Sequence, residues 1–175
     1  MSDAPEFSRP QRLDTIGAGE MGVDVVAKPA ELAALAERFG LLSIETLAAS
    51  YALRRDAVGV VATGRVSATA TQACVATGEP VPAAIEEDFA LRFLPEGGEQ
   101  GEEVELSTDA LDTMFYTGGA IDLGEAAAET FALALDPFPR SPAAAAVLKA
   151  AGVKSEDEVK PAGALAGLMD LLGRG

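Results

Sequence analysis

The sequence predicts an α+β fold with a mainly antiparallel, curved or partly barrel-like sheet, and three observations support it. Residues 62–74 alternate small apolar and polar side chains with a period of two, which is typical of a strand buried on one face. A second alternating segment follows the turn Thr77-Gly78-Glu79-Pro80, so residues 57–94 are predicted to form a long hairpin. Residues 29–39 and 123–135 have helical spacing and can cover its apolar face.

The segments before the hairpin are predicted to be extended, apart from the first helix. Pro29 suits the first turn of that helix, and Gly40 supplies its C-cap. Pro10 cannot donate a hydrogen bond to a sheet, so an edge strand is expected around it, with Phe7, Leu13 and Ile16 as apolar anchors. Arg54-Arg55-Asp56 is expected to turn the chain into the hairpin. The predicted strands lie in residues 6–16, 23–27 and 47–53.

Within and after the hairpin, three local features carry predictions. Glu87 falls on the apolar side of its strand, which indicates either a β-bulge or an edge position. Residues 111–116 resume a short strand. Asp122, with Glu125 three residues later, has the pattern of an N-cap for the second helix, and Pro137 ends that helix.

The chain is expected to hold one folded domain and one tail. Residues 1–142 form the α+β domain, and residues 143–175 form a flexible tail with short helical segments that has no core of its own. The polar, glycine-containing segment 95–108 is predicted to be a mobile acidic loop.

The glycines from Gly17 to Gly22 match the G-x-G-x-x-G pattern of dinucleotide-binding proteins, but their context does not. In that fold the glycines open a helix whose N-terminus holds the pyrophosphate. Here they precede a β-branched segment that is interrupted by Pro29, which indicates a strand. A glycine loop without a cofactor is therefore expected.

Composition limits the chemistry that the chain can perform. It has no His and only one Cys, Cys74, which we expect to pack as a small hydrophobe at the end of its strand. We therefore expect no catalytic, metal-binding or cofactor-binding residue. No apolar run approaches the roughly 18 residues of a membrane span, and a cytoplasmic location without membrane contact is expected.

The negative charge is concentrated in the middle of the chain. The net charge is −15, and residues 86–130 hold thirteen acids against Arg92 alone. A field of this sign repels phosphate backbones and attracts basic partners. The predicted partner is a basic protein rather than free nucleic acid.

Four short motifs stand out along the chain: Gly64-Arg65-Val66, residues 72–81, Ile121 to Glu125, and Leu133 to Arg140. Together they resemble the YceD family, whose members are associated with accumulation of the large-subunit ribosomal RNA. Their order and spacing extend the likeness over roughly residues 7–140, and residues 161–172 resemble the family's C-terminal ending. Many family members carry further cysteines where this chain has Thr77 and residues 142–146, so any metal site of those members does not transfer.

The resemblance implies a role in large-subunit ribosomal RNA synthesis, processing or ribosome assembly, and it implies no catalytic mechanism. We expect a non-enzymatic factor whose acidic surface docks a basic ribosomal or RNA-processing protein, with ribosomal RNA present only within a complex. The candidate interaction residues are the polar positions inside the motifs: Arg65, Gln72, Glu79 and Arg140.

Two alternatives stay open at the level of sequence. One is direct RNA binding through arginines of the N-terminal half, of which Arg54 and Arg55 are the principal candidates; the others are Arg9, Arg12 and Arg65. The other is a metal-dependent nuclease or hydrolase that uses paired carboxylates, either Asp109 with Asp112 or Glu86 with Asp88.

Overall fold

The structure is a computed structural model that describes residues 5–97 and 111–153. In chain order its elements are β1 (Pro10–Arg12), a short 3₁₀ turn (Leu13–Thr15), β2 (Met21–Val26), α1 (Pro29–Phe39), β3 (Ser43–Arg55), β4 (Val60–Ala73), β5 (Pro80–Pro95), β6 (Asp112–Tyr116), β7 (Ala120–Asp122), α2 (Leu123–Ala134) and α3 (Ala144–Ala150).

An open five-stranded sheet forms the centre of the molecule. Its strand order is β2-β3-β4-β5-β6, and a separate two-stranded sheet joins β1 to β7. The pairs from β2 to β5 are antiparallel, whereas β6 runs parallel to the end of β5, Leu91–Pro95. The predicted α+β class and its mainly antiparallel sheet are confirmed, and the described residues form no closed barrel.

The predicted hairpin is β4 and β5. Its register runs without interruption from Ala73 opposite Pro80 to Val60 opposite Phe93. Gly78 has a φ of 73°, which a residue with a side chain rarely adopts and which lets the turn close. Because the register is continuous, Glu87 lies in no bulge; it occupies an edge position, the other outcome that the sequence allowed.

One face of the sheet is covered by the two predicted helices. The first helix has the predicted bounds, and Gly40 ends it in the left-handed conformation with a φ of 65°. The second begins at Leu123 as predicted and ends at Ala134. Phe39 and Phe131 join the two helices, with ring centroids 6.2 Å apart. Alternate residues of β4 from Ala62 to Ala70 face this layer, as the sequence pattern predicts.

Asp122 fixes the start of α2 and the N-terminal segment at the same time. Its Oδ1 accepts hydrogen bonds from the backbone N–H groups of Gly124 and Glu125, which makes it the predicted N-cap. The same oxygen accepts from the N–H of Arg9 at 2.7 Å, and Oδ2 accepts from the hydroxyl of Ser8. One carboxylate therefore ties residues 8–9 to the first turn of the helix.

Residues 6–16 differ from the strand predicted for them. Only Pro10–Arg12 pairs, with the unpredicted strand β7, and a 3₁₀ turn follows. Leu13 and Ile16 are both buried, and a spacing of three cannot put both on one face of a strand. The 3₁₀ turn allows Leu13 and Ile16 to be buried at the same time.

The turn before the hairpin also lies later than predicted. Arg54 and Arg55 are the last residues of β3, and the chain reverses at Asp56–Gly59 instead. Asp56 Oδ1 accepts hydrogen bonds from the N–H groups of Val58 and Gly59, both at 2.9 Å. The side chain of Asp56 therefore closes this turn. Arg54 and Arg55 remain paired with β4.

The segment after α2 contains the short helix α3, within the region predicted to hold short helical segments. Its first residue, Ala144, is buried, and so is Ser141, three residues earlier. The remainder of the predicted tail, residues 154–175, and most of the predicted acidic loop, residues 98–108, lie outside the described residues.

We expect Gly64→Ala to lower the free energy of unfolding by about 3 kcal/mol. A Cβ at this position would lie 1.9 Å from the carbonyl oxygen of Ser50 and 2.9 Å from Cζ of Phe89, so strand β3 would have to move. Urea unfolding of the purified chain measures the effect. Gly22→Ala is the matched control, because Gly22 also lies in a strand and a Cβ there meets nothing within 4 Å. Equal destabilisation by both substitutions would contradict the prediction.

Candidate interaction site

Three consecutive acids form an exposed acidic strip on β5, defined here as Glu86, Glu87 and Asp88. The register puts Asp88 opposite Arg65 of β4, and the guanidinium binds the carboxylate through two hydrogen bonds of 2.7 and 2.9 Å. These bonds lower the pKa of Asp88 and raise that of Arg65. Among the described residues, Glu86 and Glu87 form no salt bridge, so the strip keeps a net negative charge.

Residues 136–141 are attached to the end of the hairpin, and we call this arrangement the proline junction. The N–H of Val75 donates to the carbonyl of Pro139 at 2.9 Å. The side chain of Gln72 is buried and donates to the carbonyl of Asp136 at 2.8 Å. The helix-stop segment is therefore held against the β4–β5 turn at two points.

A third contact of the proline junction uses side chains alone. The Ser141 hydroxyl donates to Glu79 Oε2 at 2.6 Å and lies 3.1 Å from the hydroxyl of Thr77. Thr77 in turn accepts from the N–H of Glu79, inside the turn. These bonds stabilise the turn conformation and give Glu79 a partner within the chain.

Cys74 lies at the centre of the proline junction with 3% of its surface exposed. Burial opposes ionisation of the thiol, but the N–H of Ser141 and the hydroxyls of Thr77 and Ser141 favour the thiolate, as does the N–H of Ala76. Together they lower the pKa of Cys74 to about 6. The residue is buried as predicted, and its polar surroundings are an additional feature of the structure.

The four candidate interaction residues do not form one cluster. Gln72 and Glu79 both belong to the proline junction, and Arg140 is exposed on the segment that they hold. Arg65 lies seven residues before Gln72 on β4, which is about 23 Å along an extended strand. It binds Asp88 of the acidic strip, so the motif positions contribute to two separate places.

The arginines considered for RNA binding have varied surroundings. Arg9 binds Glu31 through two bonds of 2.8 Å, which lowers the pKa of Glu31 to about 2. Arg12 pairs with Asp14, and Arg55 donates to the carbonyl of Leu13 at 3.1 Å. By register, Arg54 and Arg65 lie on the same side of the sheet, and Arg55 on the other.

Of the two carboxylate pairs predicted as candidates for metal chemistry, the structure describes three of the four residues. Asp109 lies outside the described residues, and Asp112 is the first residue of β6. Asp88 is bound by Arg65. In residues 5–97 and 111–153, no group of three or more His, Cys, Asp or Glu side chains could hold a metal ion. The helices described there are also too short or too polar to cross a bilayer.

Sequence analysis missed the contacts made by Ser141 and by the carbonyl of Asp136. One signal for them was present. Gln72 has the same parity as the apolar residues Ala70 and Cys74, so its amide faces the buried side. A polar side chain there requires a hydrogen-bond partner, and the motif that ends at Arg140 supplies it.

The fold and the proline junction together define a small α+β protein in which two of the four motifs, residues 72–81 and 133–140, join the hairpin turn to the end of α2. The model of the YceD family, described as large ribosomal RNA subunit accumulation protein YceD, matches residues 62–172. Because this match covers more than half of the chain, the chain belongs to that family. Among curated proteins, and among solved structures, none matches the chain.

We predict that Cys74 titrates with a midpoint near pH 6 in the folded protein, and this can be followed through the ultraviolet absorbance of the thiolate. Since this pKa lies below the unfolded value of about 8.5, the thiolate contributes stability that is complete above about pH 8.5. That contribution is lost as the pH falls through about 6.

Thr77→Val should raise the midpoint, because it removes a hydroxyl donor that favours the thiolate. Thr63→Val, at an exposed position of β4, is the matched control. A wild-type midpoint near 8.5, or an equal shift in the control, would contradict this account of the proline junction.

Proposed function

We propose that this protein supports accumulation of large-subunit ribosomal RNA as a non-enzymatic cytoplasmic factor that docks a basic ribosomal or RNA-processing protein. Membership of the YceD family supports the ribosomal role. The single observation that supports the mode of action is the acidic strip, which is exposed and keeps the charge of Glu86 and Glu87.

The charge of the whole chain favours the same kind of partner. A net charge of −15 and a pI of about 4.2 repel RNA phosphates at neutral pH and attract Lys- and Arg-rich proteins. Proteins that bind ribosomal RNA need positive surfaces, and those surfaces are vulnerable to non-specific contacts before the RNA is bound. An acidic docking factor would cover such a surface until RNA displaces it.

The candidate interaction residues divide between direct and supporting roles in this proposal. Arg65 lies on β4 opposite Asp88 of the acidic strip and holds its carboxylate in place. Gln72 and Glu79 act as positioning residues, because their polar groups bind within the chain. Arg140 is exposed and would contact a partner that extends beyond the hairpin turn.

The proposal is tested by affinity purification of the full tagged chain from cells, with protein and RNA both identified before and after nuclease treatment. We expect a basic ribosomal or RNA-processing protein to be recovered at low salt, to resist nuclease and to be released by salt, since exposed charges are screened. The double variant Glu86→Lys/Glu87→Lys should lose this protein. Cells that depend on the variant should contain less large-subunit ribosomal RNA.

The matched control is Glu20→Lys/Asp24→Lys. It makes the same change in net charge at two exposed positions, one just before β2 and one within it. Strand β2 is the edge strand at the other end of the sheet from β5 and β6. It should behave as the wild type. The proposal is overturned if the recovered protein disappears on nuclease treatment, which would indicate RNA as the ligand, or if both double variants behave alike.

A further inference from the structure

The far side of β5 carries a stretch of strand edge without a neighbour among the described residues. On its other side β4 pairs with every residue from Pro80 to Phe93. On this side β6 pairs only with Leu91–Pro95. Within residues 5–97 and 111–153, the segment 83–90 therefore has a strand on one side only, and an edge of this kind presents unpaired N–H and C=O groups.

The directions of these backbone groups follow from fixed points at both ends of β5. Pro82 pairs opposite Thr71 and has no N–H, so its nitrogen faces away from β4. At the other end the N–H of Glu96 donates to Tyr116, on the β6 side. Successive residues alternate in direction and the register has no bulge, so the even-numbered residues face the free edge. These residues are Ala84, Glu86, Asp88 and Ala90.

This length of β5 is bounded at each end, and we call it the edge slot, residues 83–90. Before its N-terminal end, Pro80 and Pro82 lack backbone N–H groups. Beyond its C-terminal end, β6 pairs with β5 from Leu91 onward. The acidic strip lies in the middle of the slot, where Glu86 and Asp88 are among the residues with outward amides. Backbone pairing groups and negative charge therefore coincide in one short segment.

A second copy of this chain fits the edge slot poorly. Antiparallel pairing of two copies about Glu87 would place Glu86 of one opposite Asp88 of the other, and like charges directly opposite destabilise a sheet. The chain's own residues 98–110, which lead to β6, carry five acids and no basic residue. They would bring the same repulsion. A strand with Lys or Arg side chains would remove it.

We propose that the edge slot of β5 binds an extended, Lys- or Arg-rich segment of a partner protein, which adds a strand to the sheet. The partner's backbone bonds to the outward groups of Ala84, Glu86 and Asp88. Its basic side chains lie beside Glu86 and Asp88 on one face of the sheet, or beside Glu87 on the other. This mode gives affinity through the main chain and selectivity through alternate side chains. The inference rests on the proposed function, since it specifies how the acidic strip would hold its partner.

A pair of peptide probes separates strand addition from simple charge attraction. The first probe is a peptide of about ten residues that alternates Lys and Thr, which spans the slot and has the side-chain period of a strand. The second has the same sequence and charge but carries an N-methyl group on every residue, which removes its donors along both edges. Calorimetric titration should show the second binding about tenfold more weakly or worse.

Hydrogen exchange on the full chain provides a residue-level check. The first probe should slow exchange of the N–H groups of Ala84, Glu86 and Asp88, which face the slot. The N–H groups of Ile85 and Glu87 face β4 and should change less. Protection spread evenly over the acidic surface, or confined to β2, would overturn the inference.

A substitution on the protein tests the same point from the other side. Ala84→Pro removes one outward N–H while leaving the bonds to β4, and Pro82 shows that β5 accepts proline at such a position. It should weaken the first probe about tenfold or more. The matched control, Ala84→Val, keeps the N–H and should bind normally. Urea unfolding confirms that both variants are folded.

The outcomes distinguish failure of this inference from failure of the proposed function. If Glu86→Lys/Glu87→Lys abolishes binding of both probes and Ala84→Pro affects neither, docking is electrostatic and strand addition is wrong. If neither substitution changes binding of the peptide or of the cellular partner, both proposals are wrong. Self-association of the wild-type chain through the slot, seen as a dimer that Ala84→Pro dissociates, would also overturn the inference.

Discussion

The close approach of α2 to the N-terminal segment and the sheet is the contact on which the rest of the fold depends. Gly124 permits it, because a Cβ there would lie 2.4 Å from the carbonyl oxygen of Phe7. Ala126, Ala127 and Ala128 are fully buried and keep the helix backbone near the strands. Small residues provide little apolar area each, so Asp122 and the Tyr51–Leu123 hydrogen bond of 2.7 Å supply the directional contacts. Because residues 136–141 follow directly after α2, the position of this helix also places them next to the hairpin turn.

Sequence periodicity predicted the elements whose stability comes from one buried face. The hairpin and both main helices were found at nearly their predicted bounds, because alternation and helical spacing report directly on burial. The N-terminal segment was only partly predicted. Its structure is set by distant groups, namely the carboxylate of Asp122 and the carbonyl of Gly119, and no local pattern encodes such contacts. The strand β7 was missed for the same reason, since three residues carry too little periodicity.

The candidate site was predicted only as a set of separate motifs. Gln72 and Glu79 were candidates because they are polar positions inside the motifs, yet the sequence could not show that they face residues 136–141. That contact joins positions more than 60 residues apart, and a single sequence contains no record of such pairs. At the proline junction, residues 72–79 and residues 136–141 each provide hydrogen-bond partners for polar groups of the other segment. Loss of one partner would leave a buried amide or hydroxyl unpaired, at a typical cost of about 1–3 kcal/mol.

The proline junction and the edge slot are linked through the register of β5. The turn conformation fixes which residue of β5 stands opposite Ala73, and a shift of one residue would reverse the direction of every later side chain and amide. Contacts at Thr77, Glu79 and Ser141 therefore also determine that Ala84, Glu86 and Asp88 point outward. Under the proposed mode of binding, the acids along that edge would have two effects with one physical origin. Their negative charge would oppose pairing with another copy of the chain and with RNA, and it would favour a basic strand as the neighbour.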